Sequence, residues 1–184
     1  MRVDGPADGG VLRCEVVVWA DGTAHAEPAL ASLVWPVREQ ARVVGLSRPL
    51  PALVGRAGHG WTGFRGLGDG RAVVTGCRWA TPHLEVGERE PVVVPVVQER
   101  LLGFAQAHLP VDGAEGPQWA WITAHSCDGL PLVGPIPGDP RRLVCAGFGG
   151  QAWGLGPAAA ALLVDGLVGS TTAPVPWLAP SRMV

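Results

Sequence analysis

Leu143-Val144-Cys145-Ala146-Gly147-Phe148-Gly149-Gly150-Gln151-Ala152-Trp153-Gly154-Leu155-Gly156-Pro157 is the stretch on which the fold turns. A short apolar strand, Leu143 to Ala146, runs into a segment with five glycines among the ten residues from 147 to 156. An apolar helix is expected behind it, from Pro157 to Val168, with proline at the first helical position and Gly169 past the end. Glycine reaches positive φ and lets a ligand approach the backbone, while a helix start offers unpaired N–H groups and about half a positive charge. Such a turn suits an anion or the electron-rich edge of a ring.

Taken literally, Gly147-x-Gly149-x-x-Ala152 satisfies the dinucleotide fingerprint Gly-x-Gly-x-x-Gly/Ala. The context argues otherwise, because that fingerprint needs a second strand after the helix, ending in an acidic residue about twenty positions on. Here the helix leads into Gly169-Ser170-Thr171-Thr172 and a proline-rich tail. A glycine-rich turn that serves packing alone is the plain alternative.

Upstream, Val11 to Trp19 reads as a strand stopped by Asp21-Gly22, and Leu33 to Leu46 as an extended stretch interrupted by Pro36. Trp61 to Gly66 and Arg71 to Trp79 flank Gly68-Asp69-Gly70, the signature of a hairpin. Leu101, Leu102, Ala105 and Leu109 recur at helical spacing between Gln98 and Pro110, and Gln118 to Ala124 reads as another strand. Strands and helices do not alternate, so the expected class is α+β, a mixed or antiparallel sheet with few helices. The last helix, with the unbroken apolar run Ala158 to Leu163, needs cover on more than one face.

Composition narrows the function. Of 184 residues, 47% are hydrophobic, which predicts one globular domain. The net charge of -2 speaks against a nucleic-acid partner. Cys14, Cys77, Cys127 and Cys145 show no metal or disulfide spacing, and His125 with Cys127 flanking Ser126 reads as a turn rather than a metal site. No apolar run is long enough to span a bilayer, so no membrane role and a cytoplasmic protein are expected.

Trp119, then Asp128-Gly129-Leu130-Pro131-Leu132-Val133-Gly134-Pro135, then Leu143 to Gly150 and the apolar helix together resemble the C-terminal part of the D-amino acid oxidase-like family of FAD-dependent oxidoreductases, which includes glycine and sarcosine oxidases. Pro36-Val37-Arg38-Glu39-Gln40, the Asp69-Gly70-Arg71 hairpin with Val73-Val74-Thr75-Gly76, the strand Val16 to Ala20 and the ending Trp177 to Arg182 extend the resemblance over residues 11 to 183. It implies residues 11–110 as a substrate-binding sheet with hairpin and helix, 117–169 as a flavin-contacting strand, loop and helix, and 170–184 as a tail, all within one domain. The family's nucleotide-binding βαβ unit precedes the equivalent of Val11, so this sequence corresponds to the partial, substrate-binding half of the fold.

The resemblance further implies FAD, held non-covalently and shared with a partner: a second polypeptide carrying a Gly-x-Gly-x-x-Gly FAD-binding unit. Gly147, Phe148, Gly149, Gly150, Gln151 and Ala152 match the loop that lies against the pyrimidine side of the flavin. Since the flavin removes hydride from a carbon bearing nitrogen, no side-chain nucleophile is expected. Relatives often carry an arginine carboxylate clamp where Thr123 stands, and Trp121 replaces a small residue, or the cysteine that binds flavin covalently in some relatives. Sarcosine oxidases have His and Lys where this chain has Gln151 and Gly154. With those clamps missing, a bulkier or uncharged amine is favoured, although Arg38, Arg65 or a partner residue remains open as a clamp. Arg38, Trp61, Trp121, Thr123 and Trp153 are the expected pocket residues, with Trp79 as a further wall. Asp128 either organises its turn or touches ligand.

The expected function is one subunit of a split FAD-dependent oxidoreductase acting on a C–N bond of an amine or amino-acid-like substrate. The alternatives are a non-catalytic binding or scaffolding subunit and a fragment.

Overall fold

The computed structural model describes residues 2–4, 11–22, 28–169 and 175–183. Part of the expected tail, residues 170–174 and 184, lies outside them. The chain forms two compact units: one of residues 1–35 and 123–184, the other Pro36–Ile122. The physical basis is separate burial. Val44, Val74, Val97, Leu101 and Ala105 share a core in the second unit, whereas Leu30, Val34, Leu132, Ile136 and Val144, with a neighbouring cluster around Val133, Ala159 and Leu163, form that of the first.

The second unit is built on a five-stranded sheet. Its strands are β4 (Val34–Leu46), β5 (Val54–Ala57), β6 (Thr62–Gly66), β7 (Arg71–Gly76) and β8 (Val111–Ser126), in the order β5-β6-β7-β4-β8. Strands β4 and β8 continue into the first unit at one end. The hairpin read from Gly68-Asp69-Gly70 is β6–β7, paired from Thr62 opposite Gly76 to Gly66 opposite Ala72. Asp69 secures the turn by accepting from the Arg71 backbone N–H at 3.2 Å and from its guanidinium, which holds the Asp69 carboxyl below its ordinary range. Pro36 sits in β4 outside the stretch paired with β7, which begins at Ala41, so its missing N–H costs that ladder nothing.

Helix α1 (Pro95–His108) covers one face of this sheet. Val97, Leu101 and Ala105, at spacings of four, pack on Ala72 and Val74 of β7. Because side chains alternate along a strand, Val73 and Thr75 point to the opposite face.

The first unit holds β1 (Arg2–Asp4) paired antiparallel with β2 (Val11–Arg13), and a three-stranded sheet of β3 (Val17–Trp19), β9 (Leu132–Ile136) and β10 (Asp139–Ala146) in the order β3-β10-β9. The strand expected from Val11 to Trp19 is thus two short strands broken at residues 14–16. β10 runs parallel to β3 and antiparallel to β9, so the mixed α+β class stands. Helix α2 (Ala152–Leu167) begins five residues before its expected start, which places Pro157 inside it rather than at its first position. Pro157 is the sixth residue of α2, so the early start forgoes the bond that an N–H there would have given the Trp153 carbonyl. The tail carries no periodicity, yet Leu178, Ala179 and Pro180 are buried, and the Val133 N–H donates to the Leu178 carbonyl at 2.8 Å.

Candidate flavin-contacting loop and substrate face

In the first unit, β10 delivers the chain to Gly147, and a single 3-10 turn, Gly149–Gln151, leads into α2. Two glycines are obligatory here. Gly147 has φ +78 and a Cβ on it would lie 3.3 Å from the Ser126 Cβ; Gly149 has φ +56 and its Cβ would meet the His125 ring at 2.9 Å. Between them, the Phe148 backbone bridges to His125, and its side chain packs against the core cluster that contains Val133 and Leu163. Of the expected contact residues, Phe148 therefore offers backbone rather than ring.

Beyond Gly149 the surface opens. Gly150, Gln151, Ala152, Trp153, Gly154 and Leu155 are exposed, and a Cβ at Gly150, Gly154 or Gly156 would meet nothing within 4 Å. No side chain caps the start of α2, and its first turn contains no acidic residue. The first-turn N–H groups thus carry the positive end of the helix dipole without a side-chain acceptor, a donor set that fits an anion or an electron-rich ring edge. Trp153 is 97% exposed. Trp153, Pro157, Ala160, Ala161 and Val164 of α2 lie on the face away from the buried Ala159 and Leu163, and all five are exposed and apolar.

Thr123 and His125, two apart on β8, are joined through Thr123 Oγ1 and His125 Nε2 at 3.1 Å. Sequence reasoning placed His125 in a turn, whereas the strand continues through Ser126 and the turn starts at Cys127. The alternation Thr123-x-His125 at the end of the strand was the available signal, and it was not used. Asp128 organises that turn: its Oδ1 accepts from the Leu130 N–H at 3.0 Å, and Arg182 grips both carboxylate oxygens at 2.8 and 3.0 Å. The Arg182 guanidinium is the main reason the Asp128 carboxyl is pulled down to about 2.

The remaining expected pocket residues belong to the second unit. Arg38 is buried, with its guanidinium bonded to Glu85 and within 3.4 Å of Glu88, and Gln40 Nε2 donates to the same Glu85 carboxylate at 3.0 Å. The hydrogen bond from Arg38 to Glu85 is the main cause that raises the Arg38 pKa, and the charge proposed for a substrate carboxylate is already answered inside the unit. Trp61 is 39% exposed and lies under the Arg78 guanidinium at 5.3 Å, and Trp79 holds Arg100 over its ring at 5.8 Å. Trp121 is half-buried, its ring centroid 6.5 Å from that of Trp119.

The family model described as DAO, FAD dependent oxidoreductase, matches residues 2–166. Among solved structures, glycine oxidase from Geobacillus kaustophilus superposes on all of this chain with TM-score 0.79 at 23% identity. Iminodiacetate oxidase from Chelativorans sp. BNC1 covers 95% of it with TM-score 0.71 at 20% identity, and L-proline dehydrogenase from P. horikoshii covers 95% with TM-score 0.69 at 17% identity. The chain spans only 49, 48 and 48% of those three structures. No curated protein matches it.

Proposed function

Because the chain belongs to the FAD-dependent oxidoreductase family of amine and amino-acid oxidases, we propose that it is the substrate-side and flavin-contacting half of a split enzyme, with the nucleotide-binding half carried by a second polypeptide. The reaction is oxidation of a C–N bond in an amine or amino-acid-like substrate by hydride transfer. The observation that carries this reading is the exposed glycine loop at an uncapped helix start. Gly150 and Gly154 present backbone with open space beside it, the Gln151 N–H is donated to the Phe148 carbonyl at 3.0 Å, and among the described residues no side chain caps the start of α2.

Those residues fit the pyrimidine edge of a flavin. FAD bound there would supply the hydride acceptor, and the protein's part is to hold, orient and stabilise. The first-turn N–H groups of α2, fixed by the helix, would face negative charge on such a ring edge without reorganising. The Thr123 hydroxyl is positioned by His125, which fixes its direction on the strand. The apolar outer face of α2, with Trp153 at its head, supports the need for a partner, since a stripe of that composition gains by leaving water.

The test is co-expression with a polypeptide that carries a Gly-x-Gly-x-x-Gly βαβ unit, followed by the visible spectrum of the co-purified material. A yellow stoichiometric complex that bleaches anaerobically with an amine substrate is the expected result. A colourless chain that captures no such polypeptide sinks the split-enzyme reading, and a yellow complex that no amine bleaches favours the non-catalytic subunit instead.

A further inference from the structure

On the sheet face opposite α1, the register sets two rows of side chains. Arg56 stands opposite Gly63, Gly63 opposite Thr75, and Thr75 opposite Ala41. In the next row, Val54 stands opposite Arg65, Arg65 opposite Val73, and Val73 opposite Val43. Position 63 has no side chain, so the first row is shallow there, with Arg56 on one side, Arg65 diagonally above, and Thr75 on the other side, its Oγ1 3.0 Å from where a Cβ on residue 63 would lie. Diagonal neighbours on a sheet lie roughly 7–8 Å apart, so two arginines stand side by side on this face.

This shallow place is part of a cavity of about 370 Å³ whose wall includes Arg56, Gly63, Arg65, Thr75 and Trp119. That volume lies in the range of small-molecule sites. The charges there are unanswered. Arg38, Arg71, Arg78, Arg142 and Arg182 form ion pairs and Arg100 lies over Trp79, but neither Arg56 nor Arg65 has an acidic or aromatic partner among the described residues. Both arginines are exposed, so water screens their mutual repulsion, and an anion between them gains by accepting paired N–H donors from both. Trp119 and the valines give the rest of the cavity an apolar surface.

We propose that this face binds a small organic molecule with a carboxylate beside a flat apolar group. The carboxylate lies over Gly63 between Arg56 and Arg65, and the apolar part lies against Trp119. This rests on reading the sheet as the substrate side of the enzyme, and it changes the expected substrate: loss of the usual clamp positions marks a relocated anion site rather than an uncharged amine. Arg56 and Arg65 are then specificity-determining residues.

The test titrates the purified full chain, free of flavin, with 4-fluorophenylacetate and follows binding by fluorine NMR. The expected result is saturable binding that weakens about tenfold in Arg56→Gln or Arg65→Gln and is lost in Gly63→Val, which fills the shallow place while leaving both charges. Arg48→Gln, on an exposed arginine that is not part of this wall, binds as the unaltered chain does. Neutral 4-fluorobenzyl alcohol binds at least tenfold more weakly. Absence of binding at about 10 mM, equal binding by the Arg56→Gln/Arg65→Gln variant, or binding of inorganic phosphate but not of the carboxylate overturns the proposal. Since no flavin is present, a null titration beside a yellow complex defeats this site alone, and saturable binding by a chain that never captures flavin defeats the oxidoreductase reading alone.

Discussion

The His125 imidazole stands where a side chain on residue 149 would have to go: a Cβ at Gly149 would lie 2.9 Å from its Cε1 and 3.0 Å from its Nδ1. With φ at +56, Gly149 is required on two independent grounds. Gly149→Ala is therefore expected to cost about 1–3 kcal/mol. Adding His125→Ala relieves the steric part and leaves the backbone part. Gly150→Ala, whose Cβ meets nothing within 4 Å, leaves thermal unfolding unchanged while reducing flavin retention in the co-purified complex. Melting curves of the three variants check the contrast.

Arg38 and Glu85 form the most buried ion pair among the described residues, with side-chain exposures of 11% and 3%. Removing one member strands the other charge in the interior. Glu85→Ala should cost roughly 3–5 kcal/mol in urea unfolding, and Arg38→Met in the same chain should restore part of that loss. Equal stability of Glu85→Ala and the unaltered chain would show that the pair is solvated in solution.

The Asp128–Arg182 pair makes a pH signature. The folded-state pKa of Asp128, about 2, is depressed below its ordinary 3.8, so its contribution is fully present above pH 3.8 and is lost as pH falls through 2. The carboxylate is about a third exposed, which limits the contribution to about 1 kcal/mol. The stability difference between the unaltered chain and Arg182→Gln is expected to be constant from pH 8 to about 4 and to shrink below that. A difference that grew on acidification would contradict the assignment.

The cysteines should separate by reactivity. Cys127 is exposed, while burial pushes the Cys77 and Cys145 thiols upward. Brief iodoacetamide treatment of the native chain, read by peptide mass spectrometry, is expected to modify Cys127 well before Cys77 or Cys145.

Local signals proved reliable where the chain folds on its neighbours. The β6–β7 hairpin follows from Gly68-Asp69-Gly70, and α1 from the spacing of Leu101 and Ala105, because turn chemistry and helical periodicity act over a few residues. The start of α2 did not follow, since Pro157 sits where helix-start rules allow a proline, yet the exposed turn before it is also helical. His125 was missed because its role depends on a strand continuing two residues past the periodic pattern and lying against a glycine loop more than twenty residues away. The tail was missed for a similar reason: burial of Leu178 and the grip of Arg182 on Asp128 join positions that no local pattern relates.

By itself, the sequence determined that the chain belongs with FAD-dependent oxidoreductases and that a glycine-rich turn leads from a strand into the last helix. Glycine at 147 and 149 and an apolar helix behind them are backbone requirements, and these are written residue by residue. Which charges are spent and which are free was decided only by tertiary structure. Arg38 and Arg65 are equivalent as letters, but Glu85 reaches Arg38 from a distant loop, whereas strand register sets Arg65 beside Gly63 with no acidic partner among the described residues. Electrostatic pairing depends on distances across the sheet, and sheet register is a property of the packed whole.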